Sequence, residues 1–222
     1  MDYIYFYGTI IGCLLWVVFF QLRKDLRKKL VFSSILCAPL GLSEVLFVPH
    51  YWIPQFNTIS IYEDLFVESI LFCFFLGGIV SVLFQVVYKQ QLLDTQGTNP
   101  LVTLIAPLLF FTYFFKLFPL NLMHYVVFSL LIGSTITIYF MRKMALKILI
   151  SGVLNTLLYS AFYLTFWHTM SSLPKSYQYH NLSGFMIFEI PIEEYLWIFS
   201  FSIYWTPIYE IWTNYFAKRK MA

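Results

Sequence analysis

The stretch Ile187-Phe188-Glu189-Ile190-Pro191-Ile192-Glu193-Glu194-Tyr195-Leu196-Trp197 puts three carboxylates within six residues at the head of the last hydrophobic segment. Ionisable groups at lipid depth are costly, so each needs a pairing or a functional explanation. On a continuous helix Glu189 and Glu193 share a face, and Glu194 points about 100° away from it. The rest of the chain can be read for whether it builds a place where such carboxyls act.

The 222 residues are 60% hydrophobic, 22% aromatic and only 11% charged, with mean hydropathy +0.74. A soluble domain is about a quarter charged, so this composition means a polytopic membrane protein. At about 20–25 residues per span plus loops, the length fits six to eight helices in one bundle. A β-barrel is disfavoured, because the apolar runs are long and do not alternate. The start Met1-Asp2-Tyr3 has no basic region and no small-residue cleavage site follows, so the first apolar run is expected to be a retained helix. Cys13, Cys37 and Cys73 fall inside apolar runs without metal or disulfide spacing and are expected to be buried hydrophobes.

Helices are expected over about residues 3–22, 30–48, 61–88, 100–118, 122–141, 148–170 and 185–215. This gives an all-α membrane protein with seven transmembrane helices. Twelve of the 14 Lys/Arg then fall in three alternate loops and the C-terminal tail, Lys116 and Lys175 excepted. The positive-inside bias places the N-terminus outside and the C-terminus in the cytoplasm. Seven of the 11 acids, namely Glu44, Glu63, Asp64, Glu68, Glu189, Glu193 and Glu194, gather in the opposite, outer halves of the second, third and seventh helices.

The chain also reads as two parallel three-helix repeats joined by a linking helix: residues 3–88, 100–118 and 122–215, all within a single integral-membrane bundle. Each repeat has an apolar helix, an Arg-Lys pair (Arg23-Lys24, Arg142-Lys143), a second helix, an aromatic loop with Pro, and a helix opening on paired acids. Glu63-Asp64 in the first lines up with Glu193-Glu194 in the second. Sites in such proteins commonly form between repeats.

Crowded carboxyls in low dielectric cannot all be ionised, which suits an acid and a base working at one pH. The candidates are Glu193, Glu194, Glu63, Asp64 and Glu44, with Glu68 beside them. Trp197 and Tyr195 lie next to the acid pair and could offer ring faces to a cation. Tyr51 and Trp52, with His50, stand in an outer loop and fit an interfacial aromatic belt. Glu63, Asp64 and Glu189 also suit a plain role in a first helical turn, where the dipole favours acids. Glu210, beside Pro207, reads as a partner for cytoplasmic basic groups. No Gly-rich phosphate loop, dinucleotide fingerprint, Gly-x-Ser-x-Gly elbow or metal-type histidine spacing is present. No cofactor or metal is therefore expected, and no nucleic-acid partner.

Several motifs together resemble the membrane lycopene cyclase family: Pro39-Leu40-Gly41-Leu42-Ser43-Glu44, Phe47-Val48-Pro49-His50-Tyr51-Trp52-Ile53-Pro54, Tyr62-Glu63-Asp64-Leu65-Phe66, Phe75-Leu76-Gly77-Gly78-Ile79 and Pro191-Ile192-Glu193-Glu194. The resemblance covers roughly residues 23–88 and 185–200. Family members commonly carry Glu where this chain has His50, and Tyr-Glu where it has Phe84-Gln85. The resemblance implies an enzyme in a prokaryotic cytoplasmic membrane whose substrate is a lycopene-type polyene or another isoprenoid. It implies cyclisation of the end group by protonation, ring closure through a carbocation and proton loss, without net redox change. Glu193 or Glu194 would be the acid, with Glu63, Asp64 and Glu44 completing the site. Tyr51, Trp52, His50, Glu68, Tyr195 and Trp197 would contact substrate. Two other readings stay open: a non-catalytic carotenoid- or lipid-binding member of the same fold, and a proton-coupled carrier. The expected surroundings are the lipid bilayer, and a homo-oligomer is compatible with the sequence.

Overall fold

The computed structural model describes residues 4–53, 59–62, 65–91, 100–117, 122–169 and 175–219. It is mostly helical. The helices are α1 (Ile4–Leu22), α2 (Arg27–Cys37), α3 (Glu44–Phe47), α4 (Val67–Tyr88), α5 (Pro100–Leu117), α6 (Leu122–Phe140), α7 (Ala145–Thr169), α8 (Ile192–Trp205) and α9 (Ile208–Arg219). Among the described residues two short antiparallel strand pairs accompany them: β1 (Ser60–Tyr62) with β2 (Leu65–Phe66), and β3 (Met186–Ile187) with β4 (Ile190–Pro191). Among the described residues, four segments are long and apolar enough to cross a membrane: Lys24–Phe47, Val67–Tyr88, Leu122–Phe140 and Arg142–Phe166. Phe6–Leu22 is apolar but shorter. The chain is an integral membrane protein.

Three expected helices are cut differently. The expected helix at 30–48 starts earlier and tightens into a 3₁₀ segment at Ala38–Ser43, before α3. Pro39 sits in that segment's first turn, where its missing N–H costs nothing. A Cβ on Gly41 would come within 2.6 Å of the Ile70 backbone, so only glycine allows this approach to α4. The expected helix at 61–88 begins only at Val67, because Ser60–Tyr62 and Leu65–Phe66 before it pair as antiparallel strands. The expected helix at 185–215 is three elements. Residues 186–191 are the β3–β4 hairpin, and α8 stops before the turn at Thr206-Pro207. Pro207 has no N–H to return to the preceding turn, so the helix breaks and α9 starts afresh.

The chain forms two compact units. The first comprises Met1–Ile79 and Leu158–Glu194; the second comprises Val80–Leu157 and Tyr195–Ala222. In the first, α1, α2 and α4 meet along small residues. A Cβ on Gly77 would lie 2.2 Å from the Cys37 Cβ, and one on Gly78 would lie 2.3 Å from the Ser34 hydroxyl. Such close approach drives helix association where lipid gives no hydrophobic preference. The Trp16 indole donates to the Ser34 Oγ at 2.9 Å, which satisfies the ring's one polar atom.

The second unit has an apolar core of Met141, Ile148, Ile203 and Ile211 beside a buried polar seam. Ser151 and Thr206 share a hydrogen bond of 2.7 Å. The Asn155 Nδ2 donates to the Val80 carbonyl at 3.2 Å and to the Ser151 carbonyl at 2.9 Å. Gln85 Nε2 donates to the Glu210 Oε1 at 3.3 Å, with both side chains buried. Cross-helix bonds of this kind are worth about 0.6 kcal/mol each on average. Glu210, expected to face cytoplasmic bases, is thus bound to a buried amide.

Candidate active site

Glu193 and Glu194 occupy the first turn of α8, where the helix N-terminus favours carboxylates. Both are buried. Two loop segments frame them. The Ile53 N–H donates to the Ser176 carbonyl at 2.7 Å, the Gln178 N–H to the Tyr51 carbonyl at 3.0 Å, and Trp52 bridges Tyr177. This pairing presents Tyr51 and Tyr177 side by side, with ring centroids 5.7 Å apart and edge to face. Asn181 clamps the same junction by donating to the His50 carbonyl at 2.6 Å.

The two phenols converge on one carboxyl oxygen. Tyr51 and Tyr177 each donate to the Glu194 Oε1 at 2.9 Å. From α7, Tyr159 donates to the Glu194 Oε2 at 2.8 Å and stacks on Tyr163 at 5.3 Å. Burial pushes the Tyr51 phenol well above its ordinary range, and the nearby Glu194 charge adds to this. Tyr51 therefore stays a proton-bearing donor at any physiological pH.

Glu193 is held differently. Its Oε1 accepts the Ser183 backbone N–H at 2.7 Å. Its Oε2 has no hydrogen-bond partner among the described residues, though the side chain is only 1% exposed. In the same unit, Glu44 opens α3 and Glu68 opens α4, and both are buried. The Ser69 hydroxyl donates to the Glu44 Oε2.

Other expected candidates fare unevenly. Glu63 and Asp64 lie outside the described residues. Trp52 is half-buried, and His50 is exposed. Tyr195 and Trp197 belong to the second unit and are half-buried; Trp197 stacks on Phe201 at 5.9 Å. Glu189 does not share a helix face with Glu193. It sits exposed in the two-residue turn of the β3–β4 hairpin. Phe188 and Glu189 there have φ of 49° and 66°, the left-handed pair a tight hairpin needs, from residues that adopt it at a cost.

No motif in the sequence marks Tyr159, Tyr177, Ser183 or Ser69. Tyr159 and Tyr163 do carry the four-residue spacing of a helix face. Among 17 tyrosines that signal does not stand out.

The family model described as lycopene cyclase matches residues 121–212. That stretch nearly coincides with the expected second repeat at 122–215, and it contains Tyr159, Tyr177, Glu193 and Glu194. The motifs at 39–79 lie outside it. No curated protein and no solved structure matches the chain. Over residues 121–212 the chain is therefore similar to the lycopene cyclase family.

Proposed function

We propose that this protein is a carotenoid end-group cyclase acting on lycopene or a related apolar polyene, an isomerase with no net redox change. The observation that carries the reading is the buried Glu193-Glu194 pair, one member of which is ringed by three phenols. Buried carboxyls in a membrane protein are retained where they act.

A protonated carboxyl delivers its proton to the terminal double bond, whose π electrons form the new C–H bond. The π electrons of a second double bond then close the ring onto the cation. Carboxylate charge and aromatic faces stabilise the cationic stage. Loss of a ring proton to a carboxylate restores a double bond, so product and substrate are isomers. In this proposal Glu193 and Glu194 act with Glu44, Glu63 and Asp64. Glu68, Tyr195, Trp197, Tyr51, Trp52 and His50 contact the polyene. Seven spans in two parallel repeats, with the N-terminus outside, remain part of the proposal. An integral-membrane catalyst suits a substrate soluble only in the bilayer.

The test is expression in a lycopene-accumulating host with chromatography of the pigments. Monocyclic or bicyclic carotenoids are expected. Unchanged lycopene, with folded protein in the membrane, would sink the reading. A proton-coupled carrier is the second reading, favoured by the buried Glu210–Gln85 contact. It predicts that unchanged lycopene.

A further inference from the structure

Helix α5 runs from Pro100 to Leu117 and passes through Pro107. A proline inside a helix has no N–H for the carbonyl four residues earlier, and its ring crowds that same oxygen. In α5 that carbonyl belongs to Thr103. On a helix in water, solvent would supply the missing donor. Within a membrane protein a neighbouring helix has to supply it. Thr103 and Pro107 are both buried, and the donor comes from α8. The Tyr204 hydroxyl donates to the Thr103 carbonyl at 3.0 Å. Tyr204 is itself buried, so the bond also gives its phenol a polar partner.

The third part is Gly133 on α6. A Cβ there would lie 2.5 Å from the Pro107 Cγ and 3.2 Å from two atoms of the Tyr204 ring. Glycine therefore lets the proline ring and the phenol ring reach one point on α6. Thr103, Pro107, Gly133 and Tyr204 all belong to the second unit. Three helices thus meet at the turn of α5 that cannot close its own hydrogen bond. The cyclisation chemistry proposed above uses none of these residues.

We infer that α5 carries a latched hinge: Pro107 makes the turn at Thr103 the yielding point of the helix, and the Tyr204 hydroxyl, seated over Gly133, holds that turn in place. While the bond is made, α5 is fixed against α6 and α8. When it opens, α5 bends about Pro107. Tyr204 is a positioning residue that acts through the Thr103 carbonyl. The inference does not depend on the cyclase reading.

A double-mutant cycle on the full chain in lipid–detergent bicelles tests the latch. Tyr204→Phe removes the donor and keeps the ring. It should raise the unfolding equilibrium constant about threefold, and at most about twentyfold, the span of single interhelical hydrogen bonds in membranes. Pro107→Ala gives the Thr103 carbonyl a helical N–H of its own. In that background the effect of Tyr204→Phe should largely vanish. An equal loss in both backgrounds, or no loss in either, overturns the latch. Hydrogen exchange read by mass spectrometry adds a local measurement, which serves where Pro107→Ala does not fold. Tyr204→Phe should speed exchange in α5 peptides spanning Pro107 and leave α1 and α2 unchanged. Faster exchange spread over the whole chain, or no change in α5, would also overturn it.

Discussion

Glu193→Gln is expected to leave the polyene uncyclised, with product formation down at least about a hundredfold, the contribution of a positioned general acid. The substitution is close to isosteric. The glutamine carbonyl can still accept the Ser183 N–H that now reaches Oε1 at 2.7 Å. What disappears is a group able to release a proton. The free Oε2 position would hold an amide, which finds no partner among the described residues. Folding should therefore change by no more than about 1–3 kcal/mol, the cost of one unsatisfied buried polar group. The check is pigment chromatography beside the yield and melting temperature of the purified variant. Lost activity with retained melting supports the chemical role. Loss of both together would make Glu193 a structural residue, and loss of neither would remove it from both roles.

Gly77→Ala is expected to give the largest loss of stability of any single methyl addition in the first unit. The new Cβ would meet the Cys37 Cβ at 2.2 Å and its Sγ at 2.8 Å, with the Ser33 carbonyl at 3.0 Å. Neither Cβ can rotate away, since each is fixed to its backbone. Helices α2 and α4 must part, and the Trp16–Ser34 bond one turn away loses its geometry. Overpacking of this kind costs about 1–3 kcal/mol, and the short contact points to the upper end. Denaturant or thermal unfolding in detergent measures it. Adding Cys37→Gly to the variant should recover most of the loss, because it removes the atoms that clash. An unchanged midpoint for Gly77→Ala alone would mean that α2 and α4 do not pack as described.

The membrane class and most helix positions were legible in the sequence, because apolar runs of about 20 residues are a strong signal. The Glu193-Glu194 pair was legible for the same reason: charge stands out against 60% hydrophobic composition. The surroundings of that pair were not. Nothing local tells that Ile187 to Pro191 folds back as a hairpin, and the continuous helix expected there placed Glu189 on the wrong element. The break at Pro207 carried a local signal in the proline itself. The phenol ring around Glu194 comes from residues 143, 35 and 17 positions away in the chain. Long-range contacts of that kind leave no periodic trace, and tyrosine is too common in this chain to mark them. The 3₁₀ segment at Ala38–Ser43 followed from the close approach of Gly41 to α4, a packing fact rather than a local one.

The most direct measurement is turnover by the purified protein in lipid nanodiscs, supplied with lycopene in heavy water and read by mass spectrometry. The account predicts cyclised product carrying one deuterium on each new ring, delivered from the exchanged carboxyl of Glu193, and none from Glu193→Gln. Lycopene recovered without cyclisation from folded wild-type protein, or cyclised product from Glu193→Gln at the wild-type level, would contradict it.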